Sequence, residues 1–470
     1  MAYEEEDRRT RDRREKKKVK SRGRGFQRRK GNYNLETCPP HKLIPPTDFV
    51  VDGFLYSGPT LTRNYFLSHF HSDHYGGIDR NWSFGVIYCS LPTAELVHSQ
   101  LGVERKYLHP LPVGIPNVLE SGTSGGHGRR ASRAVTVTLL EANHCPGAIM
   151  FLFEIPASGG IKRVLHVGDF RWDRNVMLGG GDGIPSPLRD FANLRTRLDE
   201  LYLDTTYCDP KYATMPTQAE AIEAGVAAAV AESEGDFGEE DGGKKRKRRR
   251  NTLFLFGSYT IGKERIYLSA ARALDTKVYV DPRKYRILSS LGWSPFQMDL
   301  LTTNKSESRL WVVPMGHLNF QKMGEYVGEA NRLGGRGGRK ALSAGYDRAS
   351  GFRPTGWTHG GGRGAQKPKK PFSSSSSRND AGGKGDIVTV RRSGPHAIYG
   401  VPYSEHSSFA ELVDCLIALK PKKIVPTVSV SKGEEQVRIL LEGVGTRERE
   451  GRALEDARMA CLDLSSLGGC

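Results

Sequence analysis

Short apolar runs alternate along the chain with turns rich in Gly, Pro and Asn, and this pattern predicts a protein built largely from β-strands. The runs are enriched in β-branched and aromatic residues, and their short length favours strands over helices. The predicted strands are 49–51, 65–68, 86–89, 135–140, 148–153, 164–167, 201–203, 253–256, 397–401 and 422–428.

Three segments have the composition or the apolar spacing of helices. Residues 217–232 are rich in Ala and Glu, which are strong helix formers, and residues 409–419 form an amphipathic pattern. A third helix is expected to follow the turn at 257–264 and to run to about residue 274. Strands alternating with helices in this way predict an α/β fold with layered sheets.

The length and composition of the chain predict two folded domains with unstructured segments. At 470 residues the chain exceeds the usual size of one hydrophobic core. Residues 1–34 have the composition of a disordered basic tail, and low-complexity insertions are expected near 233–250 and 359–385. The basic run at 244–250 is interpreted as a nuclear-localisation signal, a loose DNA contact or a solvated charge run.

The net charge of +17 suggests a nucleic-acid partner. Most of this excess lies in segments that we do not expect to fold, because residues 1–30 contribute +8 and residues 361–385 contribute +5. It therefore indicates non-specific phosphate affinity or nuclear import more than a shaped groove. No apolar run is long enough to predict a membrane span, and the N-terminus lacks a secretory signal. Seven cysteines without Cys-x-x-Cys spacing predict free thiols.

The run His69, His71, Asp73 and His74 directly follows the predicted strand 65–68 and offers four potential metal ligands within six residues. Imidazoles and carboxylates are ligands that zinc prefers, and a loop at a strand end can direct them at one point. A polar loop that happens to be rich in His is the alternative, but this spacing after a strand favours a metal site.

Further ligands are expected from other strand ends, because side chains at one edge of a sheet converge. His144 follows the strand 135–140, and Asp169 follows the strand 164–167. Alone, each would be an ordinary turn or capping residue. Together with the His69–His74 run they indicate a metal-dependent hydrolase.

These residues, with Asp52 upstream, resemble the metallo-β-lactamase fold. The runs at 202–208, 257–264, 352–358 and 399–408 resemble its β-CASP branch, and more closely the DNA cross-link repair nucleases of the SNM1/Pso2 type. The resemblance covers roughly residues 38–430. It implies an αββα sandwich of two mixed sheets with an inserted β-CASP domain, with sandwich parts at 35–208 and 397–470 and the insertion at 209–396. The sequence after about residue 430 departs from the family pattern.

The resemblance also implies the roles of the metal ligands. His69, His71, His144 and Asp169 would bind a first Zn²⁺ tightly. Asp73, His74 and the bridging Asp169 would hold a weaker second ion, for which Mg²⁺ or Mn²⁺ is an alternative, and Asp52 would support the ligand loop. RNA-processing relatives place a ligating His where this chain has Val428, whereas DNA-directed relatives carry Val.

For catalysis, the resemblance assigns Asp73 and Asp169 to the metal centre and Asp204 and His406 to proton transfer. His406 would protonate the leaving oxygen while Asp204 orients it, or His406 would instead ligate the second metal; the sequence leaves both open.

Five residues are candidates for substrate binding, and four of them have a structural alternative. Ser404, Ser407 and Ser408 precede a helix and suit a terminal phosphate, or they cap that helix. Lys263 is expected to hold a backbone phosphate, and Arg353 to contact phosphate or pair with a carboxylate.

The resulting prediction is a nuclear, monomeric, metal-dependent 5′-to-3′ DNA exonuclease that acts in interstrand cross-link repair. Its substrate is expected to be DNA with a 5′-phosphate end, with repair proteins as possible partners of the basic tail. The alternatives are an RNA-processing β-CASP endonuclease and a small-molecule metallo-hydrolase.

Overall fold

A computed structural model describes residues 37–58, 61–122, 132–179, 186–234, 251–334, 345–356 and 387–466. The expected tail at 1–34 and nearly all of the insertions near 233–250 and 359–385 lie outside these described residues. Within them, no helix is both long and apolar enough to cross a membrane.

Every strand expected from the sequence is present, with ends shifted by a few residues, and the described residues contain seven further strands that the sequence pattern did not indicate. The strands are β1 (Val50–Val51), β2 (Asn64–Phe66), β3 (Val86–Cys89), β4 (Leu108–Pro110), β5 (Pro116–Gly122), β6 (Ser132–Glu141), β7 (Ile149–Ala157), β8 (Gly160–His166), β9 (Glu200–Leu203), β10 (Thr252–Ser258), β11 (Val278–Tyr279), β12 (Leu301–Thr302), β13 (Leu310–Pro314), β14 (Arg348–Pro354), β15 (Thr389–Ser393), β16 (His396–Val401) and β17 (Lys423–Pro426).

The three expected helices are also confirmed, and each begins at a side-chain cap or after a tight turn. Thr217 and Ser408 each form a capping box with a Glu three residues later, which satisfies the free N–H groups at the helix start. The α-helices are α1 (Leu91–Leu96), α2 (Arg174–Gly179), α3 (Leu188–Ala192), α4 (Gln218–Ser233), α5 (Glu264–Ala273), α6 (Pro282–Ser289), α7 (Pro295–Met298), α8 (Phe320–Gly334), α9 (Phe409–Leu419) and α10 (Gly433–Ser466).

Two sheets face each other and form a sandwich. One has the parallel order β1-β2-β3-β4, and the other has the mixed order β17-β9-β8-β7-β6-β5. Strand β7 shows how the strands fill the sandwich: Phe151 and Phe153 point into the core between the sheets, whereas Met150 and Leu152 belong to the core on the opposite face. Because successive side chains in a strand alternate between faces, this nearly continuous apolar run is buried on both sides.

The third sheet is an insertion into the sandwich. Strands β9 and β17 are hydrogen-bonded neighbours in the six-stranded sheet. All the strands of the seven-stranded sheet, in the order β12-β11-β13-β10-β14-β16-β15, lie between these two neighbours in the chain. The architecture is therefore an αββα sandwich interrupted by a second α/β unit, as the sequence analysis expected.

Two expectations about this architecture need correction. The boundary at residue 396 is wrong, because β16 pairs with β14 and β15 in the inserted sheet, so the chain returns to the sandwich only after Val401. The apolar run 397–401 reads as a buried strand, but sequence alone does not show which sheet receives it. In addition, the four-stranded sheet is parallel over the described residues, whereas the resemblance implied two mixed sheets.

The ring of Phe66 lies at the centre of the sandwich core, 4.9 Å from Phe49, 5.3 Å from Phe151 and 5.2 Å from Phe153 between centroids. We predict that Phe66→Ala lowers the free energy of unfolding by about 3–5 kcal/mol, because it leaves a cavity in a closely packed core. Urea denaturation measures this loss. Val118→Ala is the control, since Val118 is 68% exposed and its truncation should stay within about 0.5 kcal/mol. Equal losses from the two variants would contradict this account of the core.

Candidate metal centre

The residues of the candidate site come from loops that follow strands of both sandwich sheets. Strands β17, β9 and β8 are parallel neighbours, so their carboxyl ends bring Val428, Asp204 and Asp169 to one edge in that order. The loop after β2 supplies His69–His74, and the loop between β6 and β7 supplies His144. The inserted sheet contributes the opposite wall, and the cleft between them has a volume of about 1100 Å³.

Four potential ligand atoms form a compact group. The Nε2 atom of His69 lies 2.9 Å from Nδ1 of His71, which lies 3.2 Å from Nε2 of His144. The Oδ2 atom of Asp169 lies 3.6 Å from the His69 nitrogen and 3.8 Å from the His144 nitrogen. Ligand bonds of about 2.0–2.1 Å in a tetrahedral zinc site place neighbouring ligand atoms about 3.4 Å apart. The donor types and separations therefore fit one tetrahedral metal ion.

Contacts behind these ligands determine which imidazole nitrogen faces the centre. His144 Nδ1 lies 2.8 Å from the carbonyl oxygen of Glu405, and His71 Nε2 lies 3.4 Å from that of Ile261. A carbonyl only accepts hydrogen bonds, so these nitrogens carry the proton and the opposite nitrogen of each ring presents its lone pair. Burial and the nearby His406 lower the pKa of His144 to about 3, which keeps the ring neutral.

Asp52 supports the ligand loop, as expected from the resemblance. Its buried carboxylate accepts hydrogen bonds from the backbone N–H of Ser68 at 2.9 Å and from the Ser68 hydroxyl at 2.7 Å, and it lies 2.7 Å from Nδ1 of His74. The Ser68 hydroxyl also contacts Nδ1 of His69 at 2.9 Å. One carboxylate thus orients two of the imidazoles. Gly168 permits the close approach of the Asp169 loop, because a Cβ there would lie 2.6 Å from Cβ of Ser68.

The second group of predicted ligands is more exposed to solvent than the first. His74 Nε2 lies 3.3 Å from Oδ2 of Asp169, and Asp73 lies at the rim, with its side chain 78% exposed and Oδ2 3.8 Å from the same imidazole nitrogen. Burial lowers the pKa of His74, but the carboxylates of Asp169 and Asp52 raise it well above its ordinary value. Val428 lines the cleft beside this group and offers no ligand atom.

Asp204 and His406 form the expected carboxylate–imidazole pair. Oδ2 of Asp204 lies 2.8 Å from Nδ1 of His406, and the other carboxylate oxygen accepts hydrogen bonds from the backbone and hydroxyl of Thr206. Burial opposes a charge on His406, but Asp204 and then Asp169 raise its pKa to about 9. The ring is therefore a cation at neutral pH, with Nδ1 on Asp204 and Nε2 directed away from this pair.

The predicted phosphate pocket before α9 is not present, because its three serines make internal hydrogen bonds. The Ser408 hydroxyl caps α9, the Ser407 hydroxyl accepts from the backbone N–H of Trp172, and that of Ser404 bonds within its own turn. All three serines are buried, and none lines the cleft. The capping interpretation of Ser408 is confirmed.

Lys263 and Arg353 are also committed to other contacts. Nζ of Lys263 lies 2.8 Å from Oε2 of Glu405, in a buried ion pair that also includes the Lys263 backbone N–H. Arg353 does not line the cleft; its guanidinium donates to the carbonyl oxygen of Leu318. The expectation that these two side chains bind phosphate is therefore not supported by their geometry.

Two buried charged residues that the sequence analysis did not select hold the site together. Arg171 donates to the carbonyl oxygens of Ser404 and Pro216 and to the carboxylate of Glu411, and so ties the Asp169 loop to the His406 loop. Glu405 pairs with Lys263 and supports His144 through its carbonyl group. Their proximity to Asp169 and His406 in the chain was the available signal.

The fold and the site define a metallo-β-lactamase architecture with a β-CASP insertion, and comparisons with known proteins agree. Residues 295–432 match the family model described as DNA repair metallo-beta-lactamase. The DNA cross-link repair protein SNM1 of Arabidopsis thaliana is 33% identical over 408 residues, which cover 86% of this chain and 69% of that protein. The chain belongs to the SNM1/Pso2 family of DNA cross-link repair proteins.

Other relatives show how much of a longer protein the similarity can cover. The DNA cross-link repair 1A protein of Homo sapiens is 35% identical over 400 residues, and the match covers 85% of this chain but 31% of the human protein. The chain thus matches about a third of that relative. The 5′ exonuclease Apollo of Gallus gallus is 28% identical over 386 residues, which cover 82% of this chain and 63% of that protein.

We predict that Asp52→Asn weakens metal binding by about 10- to 100-fold, because the amide cannot accept from both Ser68 donors and the His74 ring as the carboxylate does. Titration of the metal-free protein with Zn²⁺ against a competing chelator measures the affinity. Asp79→Asn is the matched control, since Asp79 is exposed and outside the cleft. Unchanged zinc affinity in Asp52→Asn would contradict the supporting role of this carboxylate.

Proposed function

We propose that this protein is a metal-dependent nuclease that hydrolyses phosphodiester bonds of DNA in the 5′-to-3′ direction, in the repair of interstrand cross-links. The observation that carries the proposal is the convergence of His69, His71, His144 and Asp169 beside the Asp204–His406 pair within one cleft. The names of the relatives, which include cross-link repair proteins and a 5′ exonuclease, support the substrate and the direction.

The residues present fit a strong first metal site and a weaker second one. The first would be held by His69, His71, His144 and Asp169, and the second by His74, Asp73 and Asp169. Zinc bound there would supply a Lewis acid for the phosphoryl oxygens and lower the pKa of bound water toward about 7. The second set has an exposed carboxylate and no nitrogen from Val428, so Mg²⁺ or Mn²⁺ could occupy it.

His406 is proposed as the general acid for the leaving oxygen. Its Nδ1 is occupied by Asp204, so Nε2 is the nitrogen available to donate a proton. Asp204 orients the ring. Burial lowers the pKa of His406, but Asp204 and Asp169 raise it to about 9, so the proton donor is protonated at neutral pH. Asp204 is itself buried and fixed by Thr206.

DNA is preferred over the alternative substrates for two reasons. The inserted sheet forms one wall of a long cleft, which a small-molecule hydrolase does not need. Val428 stands where the RNA-processing branch of the family carries a histidine. We place the protein in the nucleus as a monomer, with the basic segment 1–34 as the contact for repair proteins.

We predict that the purified full-length protein degrades end-labelled single-stranded DNA and that His71→Ala and Asp169→Asn each abolish cleavage. His71→Ala removes a ligand nitrogen of the proposed first site and Asp169→Asn replaces its charged carboxylate with a neutral amide, so we also expect a loss of bound metal by mass spectrometry. Cleavage that persists in both variants would remove the proposed site.

A 5′-phosphate substrate should be degraded faster than its 5′-hydroxyl equivalent, and equal rates would contradict an end-phosphate preference.

The matched control for loss of an imidazole is His109→Ala, because His109 is exposed and lies outside the cleft. This variant should retain the metal content and the cleavage rate of the unmodified protein. A parallel loss in His109→Ala would indicate a general loss of structure and not the removal of a ligand.

We predict that His406→Ala lowers the rate of DNA cleavage by about 10²- to 10⁴-fold while metal content is retained. Bis(p-nitrophenyl) phosphate provides a second readout, because its leaving group departs without a proton. A general-acid variant should therefore lose far less activity on this compound than on DNA. A loss of one metal ion, with equal losses on both substrates, would instead assign His406 as a ligand of the second metal.

A further inference from the structure

The wall of the cleft that the inserted sheet provides carries an exposed arginine and an exposed tyrosine with no assigned role. Strands β11, β13 and β10 are adjacent and parallel, so their carboxyl ends lie side by side along the cleft. Arg283 follows β11, Met315 follows β13 and Tyr259 follows β10, and all three line the cleft. With strands about 4.8 Å apart, the loops of β10 and β11 are about 10 Å from each other.

Most of the cations that line the cleft are already engaged. Lys263 and Lys284 are buried in ion pairs with Glu405 and Glu264, and Lys42 donates to the carbonyl oxygen of Asp52. Those three side chains therefore have limited capacity to bind a phosphate from outside.

Arg283 differs from these three cations. It is exposed, and within the described residues no carboxylate lies within 4.0 Å of its guanidinium. Its one side-chain hydrogen bond there is a long one, 3.5 Å, to the neutral amide oxygen of Gln100. The neighbouring Asp281 uses its carboxylate to accept the backbone N–H groups of Arg283 and Lys284. An arginine without a nearby carboxylate keeps its guanidinium N–H donors available for a phosphate.

Both side chains lie near residues that border the candidate metal centre. Arg283 and Asp73 both act electrostatically on the Tyr75 hydroxyl, which places Arg283 near the rim that Asp73 occupies. Tyr259 acts in the same way on Tyr207, whose ring centroid lies 6.1 Å from that of His406. A strand bound in the cleft could therefore reach both residues.

Tyr259 has the exposure expected of a stacking surface. Its side chain is 52% exposed although its loop is anchored by Lys284, which donates to the carbonyl oxygen of Tyr259 at 3.0 Å. Exposed aromatic rings beside a cationic groove are the usual platform for unpaired bases, because every base has a face that can stack. Paired bases are already stacked within a duplex and do not offer that face.

We propose that Arg283 binds a backbone phosphate and Tyr259 stacks on an unpaired base, so that this wall of the cleft recognises single-stranded DNA. The inference deepens the proposed nuclease function and rests on it for the identity of the ligand. It assigns strand recognition to Arg283 and Tyr259 of the inserted domain, in place of the side chains of Lys263, Arg353 and the serines before α9.

The test is equilibrium binding of the metal-loaded protein to a 3′-fluorescein-labelled single-stranded oligonucleotide with phosphorothioate linkages, which resist hydrolysis, followed by fluorescence anisotropy. Arg283→Gln should weaken binding about tenfold and reduce the slope of log K against log salt concentration by about 0.7, the value for one phosphate contact to a single strand. Tyr259→Ala should weaken binding by about tenfold. Affinities and salt slopes equal to those of the unmodified protein would overturn the proposal.

Three control variants separate recognition from structure and from general charge. Arg286→Gln makes the same charge change on α6 at an exposed position that does not line the cleft, and should have little effect. Gln100→Ala removes the neutral partner of Arg283; if it reproduced the effect of Arg283→Gln, the arginine would be an interdomain contact only. Tyr259→Phe keeps the ring and should bind as tightly as the unmodified protein.

An abasic oligonucleotide series tests the stacking part directly. One abasic position at a time is moved along the strand, and the effect of Tyr259→Ala should disappear at the position whose base contacts the ring. A constant effect of Tyr259→Ala across the series would rule out stacking on a base.

The cleavage assay separates this inference from the proposed function. Weakened binding in Arg283→Gln and Tyr259→Ala, with no hydrolysis by the unmodified protein, would reject the nuclease and retain strand recognition. Hydrolysis by the unmodified protein, with unchanged binding in both variants, would retain the nuclease and reject the inference.

Discussion

The carboxylate of Asp169 is the constraint on which the rest of the site depends. Imidazole nitrogens of His69, His74, His144 and His406 lie between 3.3 and 4.0 Å from one of its oxygens. Their rings also crowd one another, with centroids of His69 and His74 only 4.1 Å apart. A buried carboxylate is costly unless charge or hydrogen bonds compensate it, and a metal ion bound by the lone pairs of His69 and His144 would add to the compensation that protonated His406 provides. The packing therefore favours a site that binds metal.

Buried charges of the surrounding protein hold this carboxylate and its imidazoles in place. Asp52 orients the loop after β2, Arg171 joins the Asp169 loop to the His406 loop, and the Lys263–Glu405 pair joins the sandwich to the inserted sheet. Each of these groups is buried and paired with an oppositely charged or hydrogen-bonding partner, as such charges require. Removing one partner would leave a buried charge uncompensated, so these residues couple the geometry of the centre to the relative position of the two units.

This coupling also changes the interpretation of which residues contact the substrate. A lysine and three serines near the centre suit phosphate binding by residue type, but the structure uses them to assemble the cleft. We therefore assign recognition of a DNA strand to Arg283 and Tyr259, which are exposed on the wall of the cleft that the inserted sheet provides. The centre and the strand-binding wall thus belong to different units of the protein, and the insertion of one unit between β9 and β17 brings them together.

The sequence by itself determined ten of the seventeen strands in the described part of the chain, the three main helices and the candidate ligands. Alternating apolar runs such as 148–153 show strands directly, and His69, His144 and Asp169 follow such runs immediately, which places them at strand ends. The sheet that receives 396–401 and the pairing of Lys263 with Glu405 were decided only by the tertiary structure. The reason is physical: Lys263 and Glu405 lie 142 positions apart in the chain, so the local sequence around either residue does not show which partner the fold will bring to it.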